Sequence, residues 1–192
     1  MSTHRIVLDY GHGGSKPGAV YGGVEEKTVN LLLGQVCAER LRKAGFKVLL
    51  TRDGDYDVPL GVRCRLVNAQ HEASPIALVL SLHHNAAASP QAQGFEAYYL
   101  EGSQEGARAA QAIVAAAQVA PVPVHGTGLV TTAQLGRELA IIHKTTPPAV
   151  LVEVGYLTSP VDRANAVAPA FRSRVAEALT QGVQEFIATI SA

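Results

Sequence analysis

The sequence has few cysteines, no excess of charge and no long apolar run. Its two cysteines, Cys37 and Cys64, form no Cys-x-x-Cys spacing, so we expect buried reduced thiols rather than a zinc knuckle or a redox pair. Sixteen basic residues balance sixteen acidic residues. Because a protein that binds nucleic-acid phosphates carries a positive excess, this balance argues against a nucleic-acid partner.

The absence of long apolar runs also bears on location. No run approaches the roughly 20 residues that span a bilayer, so we expect no integral membrane segment. The residues Met1-Ser2-Thr3-His4-Arg5 lead directly into the first apolar run and leave no room for the apolar core of a secretory signal. We therefore expect synthesis in the cytoplasm without a signal peptide.

Strand-type and helix-type patterns alternate along the 192 residues. Strands are predicted at residues 6–8, 47–51, 76–82, 94–100, 139–142 and 149–155, and residues 15–23 are predicted to be an irregular loop. Helices are predicted at residues 25–44, from Pro59 as the first helical residue, at 103–119, near 134, and from 159 with a restart at Pro169. No linker or repeat divides the chain. We expect one α/β domain over residues 1–192, a three-layer sandwich with a mostly parallel, twisted sheet of about six strands and helices on both faces.

Chemistry-bearing side chains follow several of these strands. His12 lies in a glycine turn after the first strand, His83 ends another, and Glu153 lies near the far end of an apolar strand, while Glu26 opens a helix. Ligands of open α/β sheets bind beyond the carboxyl ends of strands, and two histidines with one carboxylate are a known zinc ligand set. Since side chains alternate along a strand, only one of His83 and His84 should reach such a metal if the strand stays regular through both.

Structural roles remain open at this point for the same residues. The histidines could be core residues with satisfied hydrogen bonds, and Glu26 could be a first-turn acid favoured by the helix dipole. Glu153 could belong to a buried ion pair, with Arg63 as its partner. The other acids that could take the roles of Glu26 and Glu153 are Glu25 and Glu138. The remaining histidines are expected at the surface or in packing, namely His4, His71, His125 and His143.

Five motifs occur in a fixed order over nearly the whole chain. They are Asp9-Tyr10-Gly11-His12-Gly13-Gly14, Pro17-Gly18-Ala19 to Glu26-Lys27-Thr28-Val29-Asn30-Leu31, Leu60-x-x-Arg63 to Asn68, Ser81-Leu82-His83-His84-Asn85-Ala86, and Pro148-Ala149-Val150-Leu151-Val152-Glu153-Val154-Gly155-Tyr156-Leu157. In this order they resemble the zinc-dependent N-acetylmuramoyl-L-alanine amidases of the family called Amidase type 3. The resemblance implies Zn²⁺ bound by His12, Glu26 and His83, with Glu153 as the catalytic carboxylate that moves the proton of the attacking water.

Other residues of these motifs are candidates for supporting roles. Asp9 could accept a hydrogen bond from a ligand histidine and so orient it. Arg63 and Asn68 are expected to brace the sheet edge by hydrogen bonds, and His84 and Asn85 belong to the same strand end as His83. The sequence departs from the family pattern at three positions, where substrate contact or local pKa values could differ, namely Tyr10, Lys16 and His84.

The resemblance implies hydrolysis of the amide between N-acetylmuramic acid and L-alanine, with peptidoglycan as the partner of a monomeric enzyme. Family members held inactive in the periplasm carry an inserted helix before the last catalytic strand, and residues 86–148 leave little room for one, so we expect an enzyme that is active once delivered. Without a signal peptide, it suits a phage endolysin or a mother-cell lytic enzyme that reaches the wall after release. Two alternatives remain: a zinc endopeptidase or carboxypeptidase of the stem peptide, and a non-catalytic wall-binding module.

Overall fold

The computed structural model describes residues 4–191. Its strands are β1 (Arg5–Tyr10), β2 (Val20–Tyr21), β3 (Val24–Glu25), β4 (Lys47–Leu50), β5 (Leu78–Asn85), β6 (Phe95–Tyr99), β7 (Val124–Thr131) and β8 (Ala149–Tyr156). Its helices are α1 (Glu26–Lys43), α2 (Leu60–Ala73), α3 (Gln104–Val119), α4 (Thr132–Leu135), α5 (Ala140–His143), α6 (Pro160–Val167) and α7 (Pro169–Ile190).

Six strands form the central sheet in the order β4-β1-β5-β8-β6-β7. All neighbours in this sheet run parallel except β6 and β8, which pair antiparallel. The predicted sheet of about six, mostly parallel strands is therefore confirmed. None of the helices in residues 4–191 is both long and apolar enough to cross a membrane.

Helices cover both faces of this sheet, as predicted. On one face Leu8 and Leu80 pack into a core shared with α1, α3 and α7, and on the other face Val7 and Val79 pack with residues of α2 and α5. Successive side chains of a strand point to opposite faces, so a strand covered twice must be apolar at every position. This explains the continuous apolar runs of β1, β5 and β8.

The structure corrects four of the predicted elements. Residues 139–142 are not a strand, because Leu139 precedes the helical turn α5, whose Ile141 and Ile142 pack in the smaller core. Pro59 is the residue before α2 rather than its first helical residue. β2 and β3 form a short hairpin across the predicted loop. Strand β7 was not predicted, since glycines at residues 126 and 128 interrupt its apolar alternation.

The parallel strands β1, β5 and β8 are direct neighbours at the middle of the sheet. Tyr10 lies opposite Leu82, and His83 lies opposite Glu153. The carboxyl ends of the three strands therefore meet at one edge. β5 continues through His83, His84 and Asn85, although its register with β8 shifts between His83 and Asn85. Of the two histidines, only His83 belongs to the potential metal-binding group among the described residues.

Candidate functional site

Three of the predicted site residues come together at this edge. Nε2 of His12 lies 3.0 Å from Oε2 of Glu26, and Nδ1 of His83 lies 2.8 Å from Oε1 of the same carboxylate. The three potential ligand atoms are within 4.8 Å of one another. Two imidazole nitrogens and one carboxylate oxygen can hold a metal ion such as zinc and leave a position open.

His12 has an unusual backbone conformation. Its φ of 63° makes it the one non-glycine residue between 4 and 191 that lies in the left-handed region. Such conformations persist only where the surroundings enforce them, and they concentrate at functional sites. Here Nη2 of Arg63 donates a hydrogen bond of 2.6 Å to the His12 carbonyl, which helps to hold the turn.

Two glycines form the walls of the group. A Cβ atom at Gly11 would lie 2.3 Å from Cε1 of His83. At Gly18, where φ is 71°, a Cβ would lie 2.4 Å from Oε2 of Glu26 and 2.6 Å from Cδ2 of His12. Only glycine lets the backbone approach the three side chains this closely. The backbone therefore cradles the donor set, and the residues fit a bound metal ion.

Glu26 is surrounded by hydrogen-bond donors. Besides the two histidines, the backbone N–H groups of Ala19 and His84 and the amide of Asn30 donate to its carboxylate, at 3.0, 3.2 and 3.2 Å. Burial raises the pKa of Glu26, but the hydrogen bonds and charges of His12 and His83 outweigh it and bring the pKa below its usual value. Glu26 is thus a carboxylate, the form that ligates a metal.

His84 lies behind this group and not in it. Its side chain is buried, and burial together with His83 lowers its pKa to about 4, so the ring is neutral. Nδ1 of His84 is 2.8 Å from the side-chain oxygen Oδ1 of Asn30. Because this amide oxygen can only accept a hydrogen bond, Nδ1 of His84 carries the proton. Sequence reasoning gave no role to Asn30. The signal was its position, one helical turn after Glu26.

Glu153 has the opposite environment. It lines the cleft, yet its Oε2 atom is buried and finds no hydrogen-bond partner in residues 4–191. Burial raises the pKa of Glu153 well above its usual value, and the charges of Glu26 and Glu96 raise it further, while Arg137 opposes them. A carboxyl group with a raised pKa can accept and release a proton near neutral pH.

A second buried carboxylate lies across the strand pair from Glu153. Glu96 is its register partner on β6, and the hydroxyls of Tyr98 and Tyr156 donate to Oε2 of Glu96 at 2.8 and 2.6 Å. Asn85 reaches the same oxygen at 3.4 Å. Glu96 was missed because a single acid in a short strand has no motif around it. Asn85 therefore contacts this cluster rather than the metal group.

Asp9 and Arg63 form a buried ion pair of 2.8 Å, which corrects two expectations. Asp9 accepts from Arg63 and from the hydroxyls of Thr51 and Ser81, and no hydrogen bond joins it to a histidine within residues 4–191. Arg63 is accordingly not the partner of Glu153. It also binds the Tyr10 carbonyl at 2.5 Å, so its predicted bracing role is confirmed.

Three further expectations concern residues around the site. Tyr10 is fully buried and donates to the Gly34 carbonyl at 2.8 Å, so it packs β1 on α1 and does not reach substrate. Asn68 bonds Lys144 and Thr146 beyond α5, each at 2.9 Å, and so braces a loop. Lys16 lines a cleft of 380 Å³ that also includes His12 and His83, and its contact with substrate stays a prediction.

The main cleft has a volume of 410 Å³. His12, Glu26, His83 and Glu153 all line it, together with residues 137–141, which connect α4 to the start of α5. Glu138 is exposed in this segment and is not part of the donor group. Glu25 lies outside the cleft lining, 3.6 Å from Lys27. A candidate metal site and a carboxyl group of raised pKa therefore line the same cleft, where a single substrate molecule could contact both.

A family model described as N-acetylmuramoyl-L-alanine amidase matches residues 6–185. The chain is 30% identical to the N-acetylmuramoyl-L-alanine amidase AmiC of Neisseria meningitidis serogroup B, over 96% of this chain and 53% of that protein. It is 29% identical to the endolysin of Bacillus phage SPP1, over 95% of this chain and 65% of that protein. It thus spans about half to two thirds of these relatives. The structure of the amidase AmiC2 of Nostoc punctiforme superimposes with a TM-score of 0.84 at 27% identity, covering 96% and 97% of the two chains.

Proposed function

We propose that this chain, which belongs to the N-acetylmuramoyl-L-alanine amidase family, is a zinc-dependent hydrolase that cleaves the amide bond between N-acetylmuramic acid and L-alanine in peptidoglycan. The observation that carries the proposal is one cleft lined by His12, Glu26 and His83 and, beside them, by Glu153 with its unpartnered Oε2. In this proposal the first three residues are metal ligands, and Glu153 is the catalytic residue.

The metal proposed for this donor set is Zn²⁺. A catalytic zinc site with two histidines and one glutamate leaves a position for water or substrate. Zinc held there supplies Lewis acidity, which polarises a carbonyl group and lowers the pKa of water to about 7. The cradle formed by Gly11 and Gly18, together with the ionised state of Glu26, supports this assignment.

Glu153 moves the proton in the proposed reaction. Its carboxylate accepts a proton from the water that attacks the lactyl carbonyl, and the new C–O bond forms as the O–H bond breaks. Glu153 then donates that proton to the departing nitrogen of L-alanine, as the C–N bond breaks. A raised pKa suits both steps, because the carboxyl group must bind the proton and release it again.

Residues that contact the proposed metal ligands hold them in this geometry. Arg63 binds the carbonyls of Tyr10 and His12 and so fixes the turn of the first ligand. Asn30 bonds Glu26, and neutral His84 in turn orients Asn30. Such outer partners orient ligands and raise metal affinity.

The same proposal covers the organisation and location of the protein. We propose one catalytic domain over residues 1–192 that acts as a monomer on peptidoglycan after release to the cell wall. The relative named as a phage endolysin supports action at the wall. Action as an endopeptidase or carboxypeptidase is the competing proposal that the chemistry of the product ends can separate.

The deciding experiment is end-group analysis of peptidoglycan digested by the purified chain, with and without a zinc chelator. We expect new N-terminal alanine and no new reducing sugar ends, with release abolished by chelation and restored by added zinc. A different new amine would indicate an endopeptidase. Binding without release, even with zinc supplied, would indicate a wall-binding module, and activity unchanged by chelation would refute the metal assignment.

A further inference from the structure

Arg137 is the one lysine or arginine among the residues 4–191 that line the main cleft. The acids of the same lining are Asp9, Glu26, Glu138 and Glu153. Asp9 is neutralised by Arg63, and Glu26 faces the two histidines. Of the remaining charged residues in this lining, two are carboxyl groups, Glu138 and Glu153, and one is a cation, Arg137.

The guanidinium of Arg137 forms no hydrogen bond or ion pair with the described residues, and its side chain is exposed. Arg137 and Glu153 line the same cleft, and the positive charge of Arg137 opposes the rise in the pKa of Glu153. An unpaired arginine at the rim of a cleft is available to a ligand with an anionic group.

The backbone at Arg137 is fixed from both sides. Before it, Thr131 and Gln134 form a capping box for α4, and Gly136 ends that helix in the left-handed conformation with φ 68°. After it, the Leu139 N–H donates to Nδ1 of His143 at 3.0 Å, and Ile141 and Ile142 are buried. The backbone therefore holds Arg137 at a fixed place in the lining of the cleft that also contains Glu153.

The substrate of the proposed function carries a matching anion. In a peptidoglycan stem, the residue after L-alanine is D-glutamate linked through its γ-carboxyl, so its α-carboxylate stays free two residues from the scissile amide. Entering the cleft, this carboxylate would be repelled by Glu138 unless a cation compensates. A planar guanidinium can donate two parallel hydrogen bonds to it.

We propose that Arg137 is a specificity-determining residue that binds the free α-carboxylate of the second stem-peptide residue and so selects stems with D-glutamate over stems with its amide. The proposal rests on the proposed amidase function. It concerns substrate binding and assigns Arg137 no part in the metal group or in proton transfer.

The test compares two soluble muropeptides that differ only at this group, one with D-glutamate and one with D-isoglutamine at the second position. For Arg137→Gln we expect KM for the acid to rise about tenfold, with kcat within about twofold of the unsubstituted chain and KM for the amide unchanged. Arg137→Lys should keep part of the preference. The matched control is Arg108→Gln, an exposed arginine on α3 outside the cleft, which should change neither KM.

A binding measurement separates this role from the effect of Arg137 on the charge of Glu153. In a Glu153→Gln background that effect is removed, and we expect Arg137→Gln to weaken equilibrium binding of the acid by the same factor and not that of the amide. Equal weakening of both ligands, or of neither, would overturn the proposal. If the zinc-loaded chain produces no new N-terminal alanine from either muropeptide, the amidase function fails, and the binding comparison still decides on Arg137.

Discussion

Two glutamates at the same sheet edge differ in every feature that sets their chemistry. Glu26, at the β1–α1 corner, has partners for both oxygens and a lowered pKa. Glu153, at the β6–β8 corner, has an unpartnered buried oxygen and a raised pKa. One residue type is thus an anion at one corner and a carboxyl group of raised pKa at the other, and the difference lies in the neighbours.

The contrast has a simple structural origin. The first corner is built from a glycine loop and the start of a helix, which bring backbone N–H groups and two histidines to Glu26. The second corner lies within a sheet, where Glu153 faces the carboxylate of Glu96 across an antiparallel pair. Loop backbone can supply donors, whereas the N–H groups inside a sheet are already used in the ladder.

The largest expected effect comes from replacing Glu26, the carboxylate of the first corner. Glu26→Gln removes the anionic ligand, so we expect loss of bound zinc and a fall in kcat/KM of at least about a thousandfold. Metal analysis and the end-group assay for new N-terminal alanine measure this. Glu25→Gln, one residue earlier and outside the cleft lining, is the control and should keep both properties. A Glu26→Gln protein with full zinc content would contradict the ligand role.

Replacing Glu153, the carboxylate of the second corner, should affect catalysis without affecting metal binding. Glu153→Gln keeps the shape but cannot carry the proton, and we expect kcat to fall about a hundredfold to a thousandfold while zinc content is unchanged. The comparison is sharp because the two substitutions are chemically identical. Retention of both metal and full activity in Glu153→Gln would refute its role.

Asp9 is a third carboxylate at this edge, and its partner is the permanently charged Arg63 rather than a histidine. Removing its charge shows how much this ion pair contributes to stability. Asp9→Asn leaves Arg63 buried without its counter-ion, and we expect the free energy of unfolding to fall by about 3–5 kcal/mol at neutral pH. Urea denaturation measures this loss. Asp53→Asn, at an exposed position in the loop after β4, is the control and should stay within about 0.5 kcal/mol.

The same pair predicts a dependence on pH. Burial raises the pKa of Asp9, but Arg63 and the hydroxyls of Thr51 and Ser81 outweigh it and bring the pKa below the usual 3.8. A lowered pKa in the folded state adds stability above the unfolded value and loses it as pH falls through the folded value. The difference between the unsubstituted chain and Asp9→Asn should therefore shrink below about pH 4. A difference that does not change with pH would contradict this.

The smallest expected effect comes from replacing Asn30, which donates a hydrogen bond to Glu26. Asn30→Ala removes one donor from Glu26 and leaves His84 without its partner, so we expect zinc affinity to fall about tenfold to a hundredfold. Competition with a chelator measures the affinity. Gln35→Ala, exposed on the same helix, is the control. Unchanged affinity in Asn30→Ala would mean that Glu26 is held well enough by its backbone donors.

Sequence reasoning worked best where position in an element dictates position in space. The carboxyl ends of neighbouring parallel strands share one sheet edge, so placing His12 and His83 after strands was enough to predict that they meet. It failed at residues 139–142, where four apolar residues fit a strand or a helical turn equally well and packing against the sheet decided. The roles of the site residues and the identity of the metal stay proposals.

The order of motifs in the sequence determined the fold class, the sheet edge and the residues that gather there, because strand alternation and strand ends are local properties. Tertiary structure alone decided which partner each carboxylate received. Asp9 takes its donors from positions 42, 54 and 72 residues away, and Glu153 meets Glu96 only because β6 inserts antiparallel beside β8. Since a pKa depends on such neighbours, the chemical state of each acid was settled by packing and not by the local pattern.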